Sequence, residues 1–330
     1  MTSPPLRRPR PSGSLVRTAL AATAVLVLLA CSSTPTGGPT AEAARTNQDD
    51  TSLQDRPFWQ RSPWTDQLPT DVRVDVRSAS IVAHLASGEK GAVANLYDYG
   101  IPVYDARQST QQVAVECTMP WGTCALERSP VPIPAEALPN PGSDRAMVVV
   151  DRGRGATFEF WQATPGPETW TVSWGSSNQL DGDGRQGGSG SGVSRLAGVV
   201  RLDEVESGEI THALALATDN TCADEFRFPA RTTDGTSRRA DCVPEGARLR
   251  LDPSIDLAAI ADITEGELMV GRALQTYGAI VVDSADALMA FFFERPTGED
   301  DPYPDLGFTW DYFGMRRIPW DALSVIAPTS

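Results

Sequence analysis

The chain has 330 residues, 41% of them apolar, and a formal net charge of −15, so it is long and apolar enough to bury a substantial core. Without residues 1–31, which carry four arginines and no acid, 24 basic groups face 43 acidic ones. Such a surface lacks the basic patches that nucleic acid and anionic lipid headgroups require, and no nucleic-acid partner is expected. Lys90 stands alone against 27 arginines, a GC-rich bias that points to an actinobacterium.

Residues 18–30, TALAATAVLVLLA, form an apolar run behind Arg7, Arg8, Arg10 and Arg17. The run is too short to span a bilayer and has the length of a secretory h-region. It ends in Leu28-Leu29-Ala30-Cys31, which resembles the lipobox of bacterial lipoproteins, where the signal is cut before a cysteine that then carries lipid. Residues 1–31 are therefore read as a lipoprotein signal with Cys31 lipidated. That makes the membrane a partner through the lipid and places the protein outside the cytoplasm, on the outer face of the cell membrane. Residues 32–55, rich in Ser, Thr, Pro, Gly and Ala without periodicity, read as a flexible tether. Residues 56–330 contain no second low-complexity break and are expected to form one domain.

Within that domain, short segments rich in Val, Ile, Tyr, Phe and Trp recur between Gly, Pro, Asp and Asn clusters. VRVDVRSASIVAHLA (72–86), VANLYDYGIPVYDA (93–106), QQVAVECT (111–118), RAMVVVD (145–151), TFEFWQA (157–163), TWTVSWG (169–175), EITHALALA (209–217), ARLRLD (247–252), AIVVD (279–283) and LMAFFFE (288–294) are the clearest. The spacing predicts an all-β fold with one or two short helices, an antiparallel jelly-roll or concanavalin-like β-sandwich. One helix is predicted over residues 265–277, with Thr264 and Glu267 as a capping box and Gly278 as the stop. Once Cys31 is set aside, four cysteines remain. In an exported chain they read as two disulfides, with Cys117 to Cys124 and Cys222 to Cys242 preferred because each pair brackets a turn; each closure would add roughly 2.5–3.3 kcal/mol. Zinc would need CxxC or close histidines, and the chain has only His84 and His212. The loop LDGDGRQGGSGSGV (180–193) lacks the ending of a phosphate-binding loop and the pattern of an EF-hand, and reads as a flexible rim. Neither a metal nor a cofactor is expected.

The stretch ATFEFWQATPGPETWTVSWG (156–175) is the most unusual. A turn at DRGRGA sets Val150 opposite Thr157 and Val148 opposite Glu159, and a turn at ATPGPE sets Trp161 opposite Trp170 and Glu159 opposite Val172. Alternation then collects Asp144, Ala146, Val148, Glu159, Trp161, Trp170, Val172 and Trp174 on one face, while Phe158, Phe160, Met147 and Val149 face a core. A carboxylate among indoles must be paired or solvated, and an open face of rings and carboxylates suits the apolar faces and hydroxyls of sugars. Glu159 is the candidate catalytic carboxyl, with His212 in GEITHALALA as a candidate base. Trp161, Trp170, Trp174 and Asp144 are the candidate substrate contacts. Asp144 lies four residues from Val148, roughly 13 Å along the strand, too far for a hydrolytic pair with Glu159.

The segments PGSDRAMVVVD, FEFWQA, GVVRLDEVESGEITHALAL, PEGARLRLD and ALQTYGAIVVD are similar to a widespread, mostly uncharacterised set of exported proteins frequent in actinobacteria. The likeness covers about residues 93–294. It implies a secreted β-sandwich associated with carbohydrate, and many of those proteins carry histidine where this chain has Ala146. Two classes of function follow. One is a lipid-anchored protein that binds a polysaccharide, with cleavage as glycoside hydrolase or polysaccharide lyase an added step. The other is a non-catalytic envelope lipoprotein acting through protein contacts.

Overall fold

The computed structural model describes residues 57–58 and 62–328; the signal segment, Cys31 and the tether lie outside the described residues. The described chain is mostly β-sheet with three α-helices. Among the described residues no helix is long and apolar enough to cross a membrane.

The largest sheet has seven strands, in the spatial order Phe313–Met315, Ala92–Asn95, Ala290–Phe292, Leu214–Thr218, Ala279–Ser284, Arg248–Leu251 and Leu323–Val325. Its pairings are mixed. Ala92–Asn95 runs parallel to Ala290–Phe292, and Leu214–Thr218 runs parallel to Ala279–Ser284. A four-stranded sheet comprises Val103–Asp105, Met147–Asp151, Ala156–Trp161 and Trp174–Gln179 in that order. A smaller sheet places Gln112–Cys117 between Val131–Pro132 and Thr169–Val172. The sheets are thus open and mixed, not antiparallel throughout. Strand and turn spacing reports where strands lie, whereas a parallel partner requires a long crossover that spacing does not reveal.

Alternation along the strands explains the layering. Leu214, Leu216, Leu249, Ala279 and Val281 point to one side of the seven-stranded sheet and pack with Ile81, Leu85, Val270 and Leu274 of two helices. Ala213, Ala215, Ile280 and Val282 point to the other side and pack with Ala146, Val148 and Val150. Met147, Val149, Phe158 and Phe160 pack in turn with Val113, Val115, Leu126, Trp170 and Val172. The four-stranded sheet is therefore covered on both faces, a placement that the alternation pattern alone does not disclose.

The predicted helix spans Glu265–Thr276, with Thr264 Oγ1 accepting from the Glu267 N–H and Glu267 Oε2 accepting from the Thr264 N–H, both at 3.1 Å. Thr264→Ala is expected to cost about 1 kcal/mol and to lower the melting temperature by about 2–4 °C, read by circular dichroism; an unchanged midpoint would exclude the cap as a stabilising element. The segment SASIVAHL, within the predicted strand 72–86, is instead the helix Ser78–Leu85. Its β-branched residues suggested a strand, but Ile81, Val82 and Leu85 form a helical stripe that is buried. Both disulfides join the sequence-local pairs, Cys117 to Cys124 and Cys222 to Cys242.

Candidate functional site

The hairpin at DRGRGA has the predicted register, with Val150 opposite Thr157 and Val148 opposite Glu159. The next hairpin is four residues longer than the turn chemistry suggested: Trp161 pairs with Trp174, Glu159 pairs with Ser176, and Thr164 bridges Thr171. Trp170 is displaced as a result. Its strand, Thr169–Val172, leaves for the smaller sheet and pairs parallel with Gln112–Cys117. The Trp170 ring is buried, edge-on to Phe160 at 6.3 Å between centroids, so it is a core side chain and not a substrate contact.

Glu159 is also removed from any exposed face. It is 1% exposed and accepts from Thr157 Oγ1 (2.9 Å), Asn178 Nδ2 (3.0 Å), Ser176 Oγ (3.2 Å), Ser194 Oγ (2.5 Å) and the Arg195 N–H (2.7 Å). Burial pushes its carboxyl up from the ordinary range, while the donors from Ser194, Arg195 and Thr157 and the Arg195 charge pull it back. A carboxylate enclosed by five donors is a structural hub, beyond the reach of a polymer chain.

The glycine-rich loop closes that enclosure. Asn178 Nδ2 donates to Gly187 O, Arg195 Nη2 donates to Gly188 O and Ser191 N–H donates to Val282 O. Gly188 has φ +129°, and a Cβ there would overlap Glu159 Oε2. Its glycines are required where the chain passes over carboxylates, so the loop is a packed wall and not a loose rim.

His212 lies elsewhere. It lines a separate cavity of about 300 Å³ with Trp64, Leu196, Arg201 and Glu294. Its Nε2 is 3.0 Å from Glu204 Oε2 and its Nδ1 is 2.8 Å from Ala213 O. With both ring nitrogens turned to acceptors, the imidazole is committed to its neighbours, and the structure does not bring it to Glu159 as an acid–base partner.

Three indoles do share a surface, although one of them is new. Trp121 is 55% exposed and stacks on Trp161, with centroids 5.6 Å apart and planes 25° apart; it also lies 6.0 Å from Trp174. Trp121 sits in CTMPWGTC, a loop closed by the Cys117 to Cys124 disulfide. Thr118 N–H and Met119 N–H bond back to Val172 O and Ser173 O, fixing the loop against the adjacent chain. Trp161 Nε1 donates to Asp144 Oδ1 at 3.4 Å. The sequence signal for Trp121 is an aromatic residue between two cysteines seven residues apart, outside the strand that carries Glu159.

Asp144 also lines a second cavity of about 580 Å³, with Tyr99, Ser143, Asp219, Asp283 and Tyr312 among its walls. Burial lifts the Asp283 carboxyl to about 7, with the Arg195 charge opposing and the Asp234 and Asp144 charges adding to the rise. Burial and then the Asp234 charge push Glu245 up to about 9.

The class defined so far is a mixed, open-sheet β protein with two disulfides, an exposed indole platform and an acid-lined cavity beside it. Comparison with protein-family models, with curated proteins and with solved structures gives no match to this chain.

Proposed function

We propose that the chain is an exported, lipid-anchored β-sandwich protein that binds a polysaccharide on Trp121, Trp161 and Trp174, with Asp144 receiving sugar hydroxyls at the edge of the platform. The observation that carries this reading is the exposed Trp121 ring stacked on Trp161 and held out by a disulfide-closed loop. Indoles offer large, rigid apolar area at small entropic cost, and the apolar C–H faces of sugar rings match them. Glu159 and Trp170 have no part in this site, and Asp144 replaces Glu159 as the carboxylate next to the rings.

The test is retention of the purified protein by a panel of soluble polysaccharides in affinity electrophoresis, with tryptophan fluorescence as a second readout. Trp121→Ala is expected to weaken binding about tenfold or more, the loss typical of an interfacial aromatic anchor, with little change in melting temperature because the ring is already exposed. Absence of retention by every glycan, or equal retention of wild type and Trp121→Ala, would exclude the platform and favour the protein-contact class, to which the neighbouring exposed Met119 would also contribute. Release of reducing ends during the same incubation would show that binding is followed by cleavage.

A further inference from the structure

We propose that Asp234, Glu245 and Asp283 form a binding site for a hard divalent cation, calcium. The three residues come from separate parts of the chain. Glu245 ends the strand Val243–Glu245, Asp283 lies in Ala279–Ser284, and Asp234 belongs to the segment between Thr221–Phe226 and Val243–Glu245. Each offers one carboxylate oxygen, and these oxygens all lie within 4.8 Å of one another. Two oxygens bound to one calcium at about 2.3–2.6 Å cannot be more than about 5 Å apart, so the trio already has a span that a single ion can bridge.

A group of acids alone would not suffice, because such groups are common on acidic surfaces. Here Glu245 is fully buried, and while its Oε2 accepts from the Asp234 N–H at 3.2 Å, its Oε1 has no hydrogen-bond partner among the described residues. A buried, unpartnered carboxylate oxygen beside two further carboxylates is a costly arrangement that a cation would relieve. Among the described residues, none of the three acids has a basic side chain within 4.0 Å. The charge of Arg195 acts on Asp283, but that guanidinium donates through Nη2 to Gly188 O.

The surroundings are built to hold the acids in place. Ser284 Oγ donates to Asp234 Oδ1 at 2.9 Å and exchanges a hydrogen bond with Thr221 Oγ1. Gly190 of the glycine-rich loop passes so close that a Cβ there would overlap Asp234 Oδ2 and lie 2.7 Å from Asp283 Oδ1. Asp283 lines the 580 Å³ cavity, which leaves room for waters to complete a coordination shell, and Asp234 is exposed, which provides an entry path. An all-oxygen donor set without His or Cys suits calcium or magnesium over zinc. Magnesium keeps much of its water and demands near-octahedral geometry, whereas calcium accepts several protein carboxylates in irregular positions. None of the three acids belongs to the glycan platform, although Asp144 at the edge of that platform lines the same cavity as Asp283.

The experiment uses the purified protein stripped with EDTA and titrated with calcium chloride by isothermal calorimetry, followed by thermal melts. One ion per chain is expected, and at a hundredfold excess over Kd the melting temperature should rise by about 5 °C. Magnesium should bind at least about tenfold more weakly. Asp234→Asn, at the exposed edge of the trio, should abolish the calcium-dependent rise while leaving a folded protein in EDTA. Glu245→Gln, which keeps the size of the side chain but cannot carry a negative charge, should also abolish the calcium-dependent rise. Asp300→Asn, an exposed acid outside the trio, should respond like wild type. No heat and no shift at millimolar calcium would overturn the proposal, as would a retained response in both trio variants, an equal loss in Asp300→Asn, or magnesium binding as tightly as calcium.

Discussion

Glu159→Leu is expected to destabilise the protein by on the order of 3–5 kcal/mol, the range observed when one partner of a buried charged network is removed. Glu159 is 1% exposed and its two oxygens collect three hydroxyls, one amide and one backbone N–H. Leucine fills much of the volume but leaves all five donors facing hydrocarbon. Because Asn178 and Arg195 also tie down Gly187 and Gly188, the loss should spread into the glycine-rich loop. Glu159→Gln is expected to cost less, about 2 kcal/mol, because one oxygen still accepts while the new amide meets donors at the other position. Urea denaturation of the three proteins at neutral pH measures the difference. A Glu159→Leu variant within about 1 kcal/mol of wild type would show that the network is not a stabilising hub.

The same residue illustrates what sequence reading can reach. The tight turn at DRGRGA sets the Val148 and Glu159 pair, and the structure has that pair. The capping box at Thr264 and the two local disulfides were legible for the same reason: each depends on residues close in sequence. Trp170 was misplaced because ATPGPE offers several turn closures, and the hairpin closes between Thr164 and Thr171. The slip is four residues, an even number, so Trp161 and Trp174 still meet across the hairpin even though Trp170 departs.

What covers a face was not legible at all. Alternation correctly separates Val148 and Glu159 from Phe158 and Phe160, but it does not say that the seven-stranded sheet and residues 184–197 lie over the first pair. An all-β reading with antiparallel neighbours leaves that face open to solvent. The parallel crossovers bury it, and with it the role proposed for Glu159 as a catalyst. The carboxylate trio was invisible for a related reason, since Asp234, Glu245 and Asp283 meet only through the pairing of Thr221–Phe226 with Val243–Glu245 and the course of the adjacent Ala279–Ser284 strand.

With divalent cations chelated, the protein should lose stability as pH rises from about 5.5 to 8.5, opposite to the usual acid-side trend. Glu245 is held at about 9 by burial and the Asp234 charge, with the Thr233 hydrogen bond opposing; Asp283 is held at about 7 by burial, with Arg195 opposing and Asp234 and Asp144 adding. Both values lie above those of the unfolded chain, so the folded state retains protons that the unfolded state has already released. The stability these protons contribute is fully present below about pH 4 and declines as pH rises through about 7 and then 9. Asp75 and Asp252 are shifted the other way: at Asp75 burial opposes, but the Arg77 N–H and the Arg227 guanidinium together outweigh it, and at Asp252 the Ser254 donors lower the carboxyl. Their contribution is lost only as pH falls below the ordinary carboxylate range, whereas burial also pushes Glu159 up, so Glu245→Gln is what separates the trio from that carboxyl. Two shared protons in a partly accessible cluster should give a loss on the order of 3 kcal/mol across the window. Glu245→Gln cannot ionise and should flatten the profile. Calcium should flatten it as well, because an ion that takes the ionised oxygens stabilises the folded state more as protons become scarcer. Thermal and urea midpoints at three pH values, in EDTA and in calcium, decide the matter: a flat or rising profile in EDTA, or a slope unchanged by Glu245→Gln, would place the proton-holding groups elsewhere.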